Sequence, residues 1–79
     1  MFKYDFKKKS EGIKRVVDFL KKVHGVEVAT SEAGKLAYLL SQRQLFVDSI
    51  EIIGQDVQTG FNRKLLLKVT DIRRYFQHQ

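Results

Sequence analysis

Aromatic residues occupy every second position at the start of the chain. Phe2, Tyr4 and Phe6 alternate with charged residues. A period of two places successive side chains on opposite faces of a strand. The pattern therefore predicts an edge or hairpin strand over residues 2–7.

Apolar residues then recur every three or four positions between Ile13 and Val23, which is the spacing of an amphipathic helix. Ser10 is a favourable N-cap residue, and Glu11 places an acid in the first turn, where the helix dipole favours it. Gly25 is expected to end this first helix.

A short extended segment at residues 26–29 and a second helix from about residue 31 are predicted next. Residues 30–32, Thr-Ser-Glu, offer capping side chains and an early acid. The inward stripe of this helix is narrow, consisting of Ala33, Leu36, Ala37 and Leu40. Gly34 disfavours a helix by roughly 1 kcal/mol relative to alanine, so either it lies at a tight crossing or the helix starts later.

The second half of the chain predicts a hairpin followed by a helix. Residues 45–53 are rich in β-branched and aromatic side chains, residues 54–60 suggest a mobile loop, and residues 65–69 suggest a second strand. Alternation in that strand points Leu65, Leu67 and Val69 inward. Thr70 and Asp71 are expected to cap a short final helix.

These elements predict a single compact α+β domain over residues 1–79 with the order β-α-β-α-β-β-α. Three helices pack on a small, mainly antiparallel sheet that includes a C-terminal β-hairpin. Seventy-nine residues support one core and leave no room for a large enclosed catalytic cleft. The expected core consists of Phe6, Val16, Val17, Leu20, Leu36, Leu40, Ile50, Ile52, Leu65 and Leu67.

Composition narrows the class of protein. With 43% hydrophobic residues, 30% charged residues and no cysteine, the chain is unlike disordered, collagen-like or disulfide-stapled proteins. No apolar run reaches the roughly 20 residues that span a bilayer. Lys3, Asp5 and Lys7 interrupt the region where a signal peptide needs apolar residues. We therefore expect a soluble cytoplasmic protein with no membrane partner.

Motifs for catalysis are absent from the sequence. The two histidines, His24 and His78, are far apart and have no metal-ligand spacing, and His24 suits a helix C-terminus. Gly34 and Lys35 lack the preceding glycine and following hydroxyl residue of a phosphate-binding loop. Neither a nucleophile elbow nor a catalytic cysteine is present. The chain is thus expected to have no enzymatic activity, no cofactor and no metal.

Charge is distributed unevenly. Basic residues outnumber acidic ones by eight to three in residues 1–22 and by five to one in residues 59–79, whereas acids prevail by five to two in residues 23–58. If the two ends meet, their positive potential would attract a polyanion. This predicts a small regulator that binds DNA or RNA through phosphate contacts. The candidate residues are Lys7, Lys8, Lys9, Lys14, Lys21, Arg63, Lys64, Arg73 and Arg74.

A protein-interaction domain, acting as an inhibitor or adaptor, is the alternative. Such a domain would present either the edge strand at residues 2–7 or the partly apolar face around Leu66. Phe61 and Phe76 are interleaved with basic residues and could stack on bases, but their residue type favours the core or its rim. Homodimerisation is compatible with both functions.

An alanine-containing helix at residues 30–37 (TSEAGKLA) precedes a hairpin whose second strand leads into an Asp-led helix, residues 64–72 (KLLLKVTDI). Over about half of the chain this arrangement resembles small winged helix-turn-helix modules of the excisionase type. The resemblance implies a winged-helix-like variant of the fold with a recognition helix near residues 44–53. The residue pattern there predicts a strand instead.

Overall fold

A computed structural model describes residues 9–42 and 47–78 of the chain. The strand predicted at residues 2–7, and with it Phe6 of the expected core, lies outside the described residues. Helix α1 spans Lys9–Phe19, so the prediction that Ser10 is its N-cap was wrong, and it continues into a π-helical turn, Leu20–His24. As predicted, Gly25 ends the helix. It adopts the left-handed conformation (φ 66°) that glycine accepts without strain, and its N–H donates to the Lys21 carbonyl.

Strand β1 (Val26–Val28) and helix α2 (Thr30–Ser41) follow directly. The prediction that Thr30 and Ser31 cap α2 was wrong, since the N-cap is Ala29 and no side chain caps the helix, but Glu32 does place an acid in the first turn. Glu32 also reaches across to β2 and accepts a hydrogen bond from the Ile53 N–H at 3.0 Å. Strand β1 ends at Val28, opposite Gly54, and has no residue opposite Ile53. The Ile53 N–H therefore bonds to the Glu32 carboxylate instead of to a strand.

Gly34 lies within α2, so the later helix start is excluded. A Cβ built on Gly34 would lie 3.8 Å from Ile13 Cδ1 of α1, an ordinary van der Waals contact. The residue therefore faces α1 where the two helices cross, but the crossing leaves room for a Cβ at this position. Ala33 and Ala37 are both buried, in agreement with their place in the predicted inward stripe.

Strands β2 (Ser49–Asp56) and β3 (Asn62–Lys68) form the predicted antiparallel hairpin, and the sheet order is β1-β2-β3. The predicted boundary between β2 and the loop was wrong, because residues 54–56 belong to the strand and pair with β1. Gly54 makes this pairing possible, because a Cβ there would overlap Val26 Cγ1 and would lie 2.9 Å from the Glu27 carbonyl oxygen. The glycine marks a close approach of two strands rather than a turn.

Helix α3 spans Val69–Gln77. Val69 is buried as predicted but begins the helix instead of ending the strand, and its N–H donates to the Asp48 carbonyl at 2.9 Å. The prediction that Thr70 and Asp71 cap the helix was also wrong, since Lys68 occupies the N-cap and no side chain caps it. The preceding strand therefore sets the start of α3.

The α+β class, the three helices and the mainly antiparallel sheet are confirmed. Of the ten expected core residues, seven are buried, while Val17 and Ile50 are partly buried against the core. Aromatic rings join the helices, with the ring centroid of Phe19 lying 4.7 Å from Tyr75 and 5.6 Å from Phe76. The buried core consists of Val16, Phe19, Leu20, Val26, Ala33, Leu36, Ala37, Leu40, Ile52, Leu65, Leu67, Val69, Ile72 and Phe76.

Candidate functional site: the β2–β3 hairpin

The basic candidate residues at the start of the chain are described by the structure only in part. Lys7 and Lys8 lie outside the described residues, as does the side chain of Lys9, the first residue of α1. Lys14 is exposed. Lys21 is exposed too, but its Nζ lies 3.6 Å from Glu27 Oε1 of β1. A surface pair of this kind is weak and would not prevent an outside contact.

The two arginines of α3 differ sharply. Arg73 is partly buried, and its guanidinium donates to the carbonyls of Leu40 and Gln42 at the C-terminal end of α2. Those carbonyls have no partner within the helix, and a cation there also complements the helix dipole. Arg74, the next residue, is exposed. Arg73 therefore has a structural role, whereas Arg74 remains accessible to a partner.

Arg63 and Lys64 are also neighbours with different surroundings. The Arg63 Nη1 donates to Asp56 Oδ2 and to the His24 carbonyl, both at 3.1 Å. These contacts tie β3 to β2 and to the end of the first helix. Lys64 points to the opposite face of the sheet, where it is exposed. Charge counting treats the two residues alike, but the pleat of the strand separates them.

The face of the hairpin that carries Lys64 is turned away from the core, and we call it the outer face. Two apolar side chains stand among its charges: Leu66 is 73% exposed and Ile53 is 53% exposed. In the ladder, Leu66 lies opposite Glu51 and Ile53 lies opposite Lys64. The outer face is defined by Glu51, Ile53, Lys64, Leu66 and Lys68.

An open groove of about 400 Å³ adjoins the outer face where β1 leaves the sheet. Its walls combine carboxylate, amide and aliphatic groups, and it is too open to exclude water from a reaction. The lining residues are Glu27, Val28, Ala29, Ile53, Gly54, Gln55 and Asn62.

The hairpin tip, residues 56–61, is held by hydrogen bonds throughout. Asp56 is the main organiser: its Oδ1 accepts from the N–H groups of Gln58 (2.8 Å) and Thr59 (3.0 Å), an Asx-type turn. Its backbone N–H donates to the Phe61 carbonyl at 2.8 Å. The N–H donors from Thr59 and Gln58, followed by Arg63, keep the pKa of the Asp56 carboxyl below its ordinary value.

Further bonds lock the remainder of the tip. Gln55 Nε2 donates to the Gly60 carbonyl at 2.9 Å, and the Phe61 N–H donates to Thr59 Oγ1 at 3.2 Å. Gly60 takes φ 79°, a conformation that few side chains tolerate. The Val57 N–H donates to the Gly25 carbonyl at 3.0 Å, so the tip is fastened to the end of the first helix. Together these hydrogen bonds define one backbone conformation for the loop.

Phe61 is 74% exposed on this fixed loop, and the expectation that it belongs to the core or its rim was wrong. Phe76 is buried as expected. The reason is its position in the chain. Phe61 precedes β3 and lies beyond the last ladder pair, Gln55 and Asn62, away from the buried pair Ile52 and Leu65. The signal that could have predicted an ordered tip is the run from Asp56 to Gly60, in which an Asx turn, a threonine hydroxyl and a glycine combine.

Comparisons with known proteins define the fold and nothing finer. No family model matches the chain, and no curated protein matches its sequence. Among solved structures, MreB 5 of Spiroplasma citri, crystallised bound to AMPPNP, is similar with a TM-score of 0.69 and 10% sequence identity. The match covers 84% of this chain but only 20% of that chain. This protein therefore has a fold that also occurs as one fifth of a longer chain.

Within residues 9–42 and 47–78, no helix is long and apolar enough to cross a membrane. The same residues contain no group of three or more His, Cys, Asp or Glu side chains placed to hold a metal ion.

Proposed function

We propose that this protein is a non-enzymatic protein-interaction domain that uses its hairpin tip as the binding surface and Phe61 as the anchor. The observation that carries the proposal is the 74% exposure of Phe61 on a loop whose backbone is fixed by hydrogen bonds. A preordered loop loses little conformational entropy on binding, and a buried aromatic side chain is a frequent hot spot.

The charges of the tip favour a protein over a polyanion. Asp56 is ionised at neutral pH, and the one arginine beside it, Arg63, is already engaged with that carboxylate. A phosphate approaching the tip would meet a charge that is nearly balanced. Val57, 46% exposed, adds apolar surface to the same loop. An apolar pocket on a partner protein matches this surface.

Photo-crosslinking tests the proposal. A photoreactive amino acid replaces Phe61 in one variant and Tyr38, 66% exposed on α2, in the control variant. We expect a discrete protein adduct from position 61 and none from position 38, with competition by excess wild type and none by Phe61→Asp. Equal adducts at both positions, or equal competition by Phe61→Asp, would contradict the proposal. Thermal melting of each variant verifies folding.

Binding of DNA or RNA is the second candidate function. Lys64 and Lys68 are exposed on β3, which begins directly after Phe61, so lysines for phosphates and a ring for stacking lie within eight residues of the chain. Arg74 is also accessible.

Fluorescence anisotropy with labelled duplex DNA, single-stranded DNA and RNA at low salt tests this second candidate. If it holds, the paired changes Lys64→Ala and Lys68→Ala weaken binding about uniformly across sequences and lower the salt slope by about 1 per lost contact on duplex DNA. Lys35→Ala is the matched control, since Lys35 pairs with Glu32 at 2.7 Å. An absence of binding by the wild type at low salt rejects the candidate.

A further inference from the structure

The outer face has a charge pattern that is complementary to itself. Its acid, Glu51, lies on β2, whereas its two bases, Lys64 and Lys68, lie on β3. Leu66, opposite Glu51 in the ladder, stands between the two lysines, each two residues away. An acidic strand thus runs beside a basic strand, with one exposed apolar residue on each.

These charges are uncompensated within the part of the chain that the structure describes. Glu51, Lys64 and Lys68 make no ion pair or side-chain hydrogen bond with residues 9–42 or 47–78, while four other ion pairs form there. Exposed apolar and charged residues so arranged are typical of a surface that another molecule covers.

We infer that the outer face binds a second copy of this chain in a two-fold symmetric dimer. A two-fold axis that runs parallel to the strands, between β2 and β3, places β2 of one copy over β3 of the other. Glu51 then faces Leu66 of the second copy and lies between that copy's Lys64 and Lys68. Two residues of strand span about 6.6 Å, a distance that lysine side chains can reach across.

The same axis brings the apolar residues together. Ile53 of each copy lies over the second copy's Lys64, diagonal to its Leu66, so four aliphatic side chains form the centre of the contact. Because the symmetry repeats every contact, two acids meet four bases. The face is small, so we expect a weak dimer that forms as the protein concentration rises and weakens with salt.

Charge reversal tests this dimer by sedimentation velocity, from low-micromolar to near-millimolar protein. Glu51→Lys makes the outer face wholly basic, and Lys64→Glu with Lys68→Glu makes it wholly acidic. Each variant alone should lose the dimer, with the dissociation constant raised by about tenfold or more. An equimolar mixture of the two should recover a one-to-one dimer, which also demonstrates that both variants are folded. Asp18→Lys, an exposed change on α1, is the matched control and should dimerise as the wild type does.

A wild type that stays monomeric throughout the concentration range overturns the inference. So does a dimer that survives Glu51→Lys, or a mixture that fails to recover it. The inference is independent of the tip proposal, because Phe61→Asp should leave the dimer unchanged. A different protein crosslinked through position 66, together with a monomeric wild type, would assign the outer face to that partner instead.

Discussion

Three consecutive leucines in β3 have different environments. Leu65 and Leu67 are buried, at 9% and 6% exposure, whereas Leu66 is 73% exposed. The residue type is the same, and the chain positions differ by one, so only the pleat of the strand separates the core from the surface. Leu66 is therefore exposed because it lies on the outer face of the sheet. Comparing the two faces shows which side chains stabilise the fold and which remain available for binding.

The largest expected effect comes from removing an inner leucine. Leu67→Ala should lower the free energy of unfolding by about 2–5 kcal/mol, because it removes buried methyl groups and leaves a cavity. Leu66→Ala should change it by no more than about 0.5 kcal/mol. Denaturant unfolding at low-micromolar protein measures both. Similar losses for the two variants would invalidate the distinction between the faces.

Gly54→Ala comes next and tests how tightly β1 is joined to the inner side of the hairpin. The added methyl group overlaps Val26 and the Glu27 backbone, so we expect a loss of about 1–3 kcal/mol. Amide exchange should then rise in β1 more than in β3. Gly60→Ala is an informative comparison, since a Cβ there has open space but an unfavourable φ. A stable Gly54→Ala variant with unchanged exchange would contradict the strand contact.

The arginines of α3 provide a second pair of neighbours. Arg73→Ala should cost about 1–2 kcal/mol because it uncovers the last carbonyls of α2, while Arg74→Ala should stay within about 0.5 kcal/mol. Thermal unfolding of both variants checks this difference. If Arg74→Ala is the more damaging, the assignment of Arg73 to a structural role is wrong.

The smallest expected effect is on the stability of the protein at acidic pH. Hydrogen bonds in the folded state lower the Asp56 pKa, so its contribution to stability is present above the ordinary aspartate pKa, about 3.9, and is lost as the pH falls through the folded value. Asp56→Asn keeps an acceptor for the turn but has no charge. We expect the variant to be less stable than the wild type at neutral pH and equal to it in strong acid. Parallel stability curves from pH 7 to pH 2 would show that the charge contributes nothing.

The candidate site was only partly predictable. The outer face around Leu66 follows from the alternation of residues in β3. Its exposure agrees with the partly apolar face that the sequence analysis described for a protein-interaction domain. Burial ranking by residue type misplaced Phe61, since type says nothing about where a ladder ends relative to the helices above it. Some of the basic candidate residues are engaged within the protein and others are exposed, which a count of charges does not reveal. Arg63 pairs with Asp56, and Arg73 bonds to the end of α2.

Local chemistry determined the class of fold. Helical periodicity defined α1, the left-handed preference of glycine ended it at Gly25, and alternation defined which leucines of β3 face the core. These features depend on neighbours within a few residues, so they can be read from the chain itself. Tertiary structure decided the rest. Gly54 became part of a strand because β1 lies against it, and the Glu32 carboxylate of α2 accepts a hydrogen bond from β2 because the fold brings the Ile53 N–H within reach. Such outcomes depend on which distant segments meet, and a hydrogen bond or a clash between them exists only once the sheet and helices have assembled.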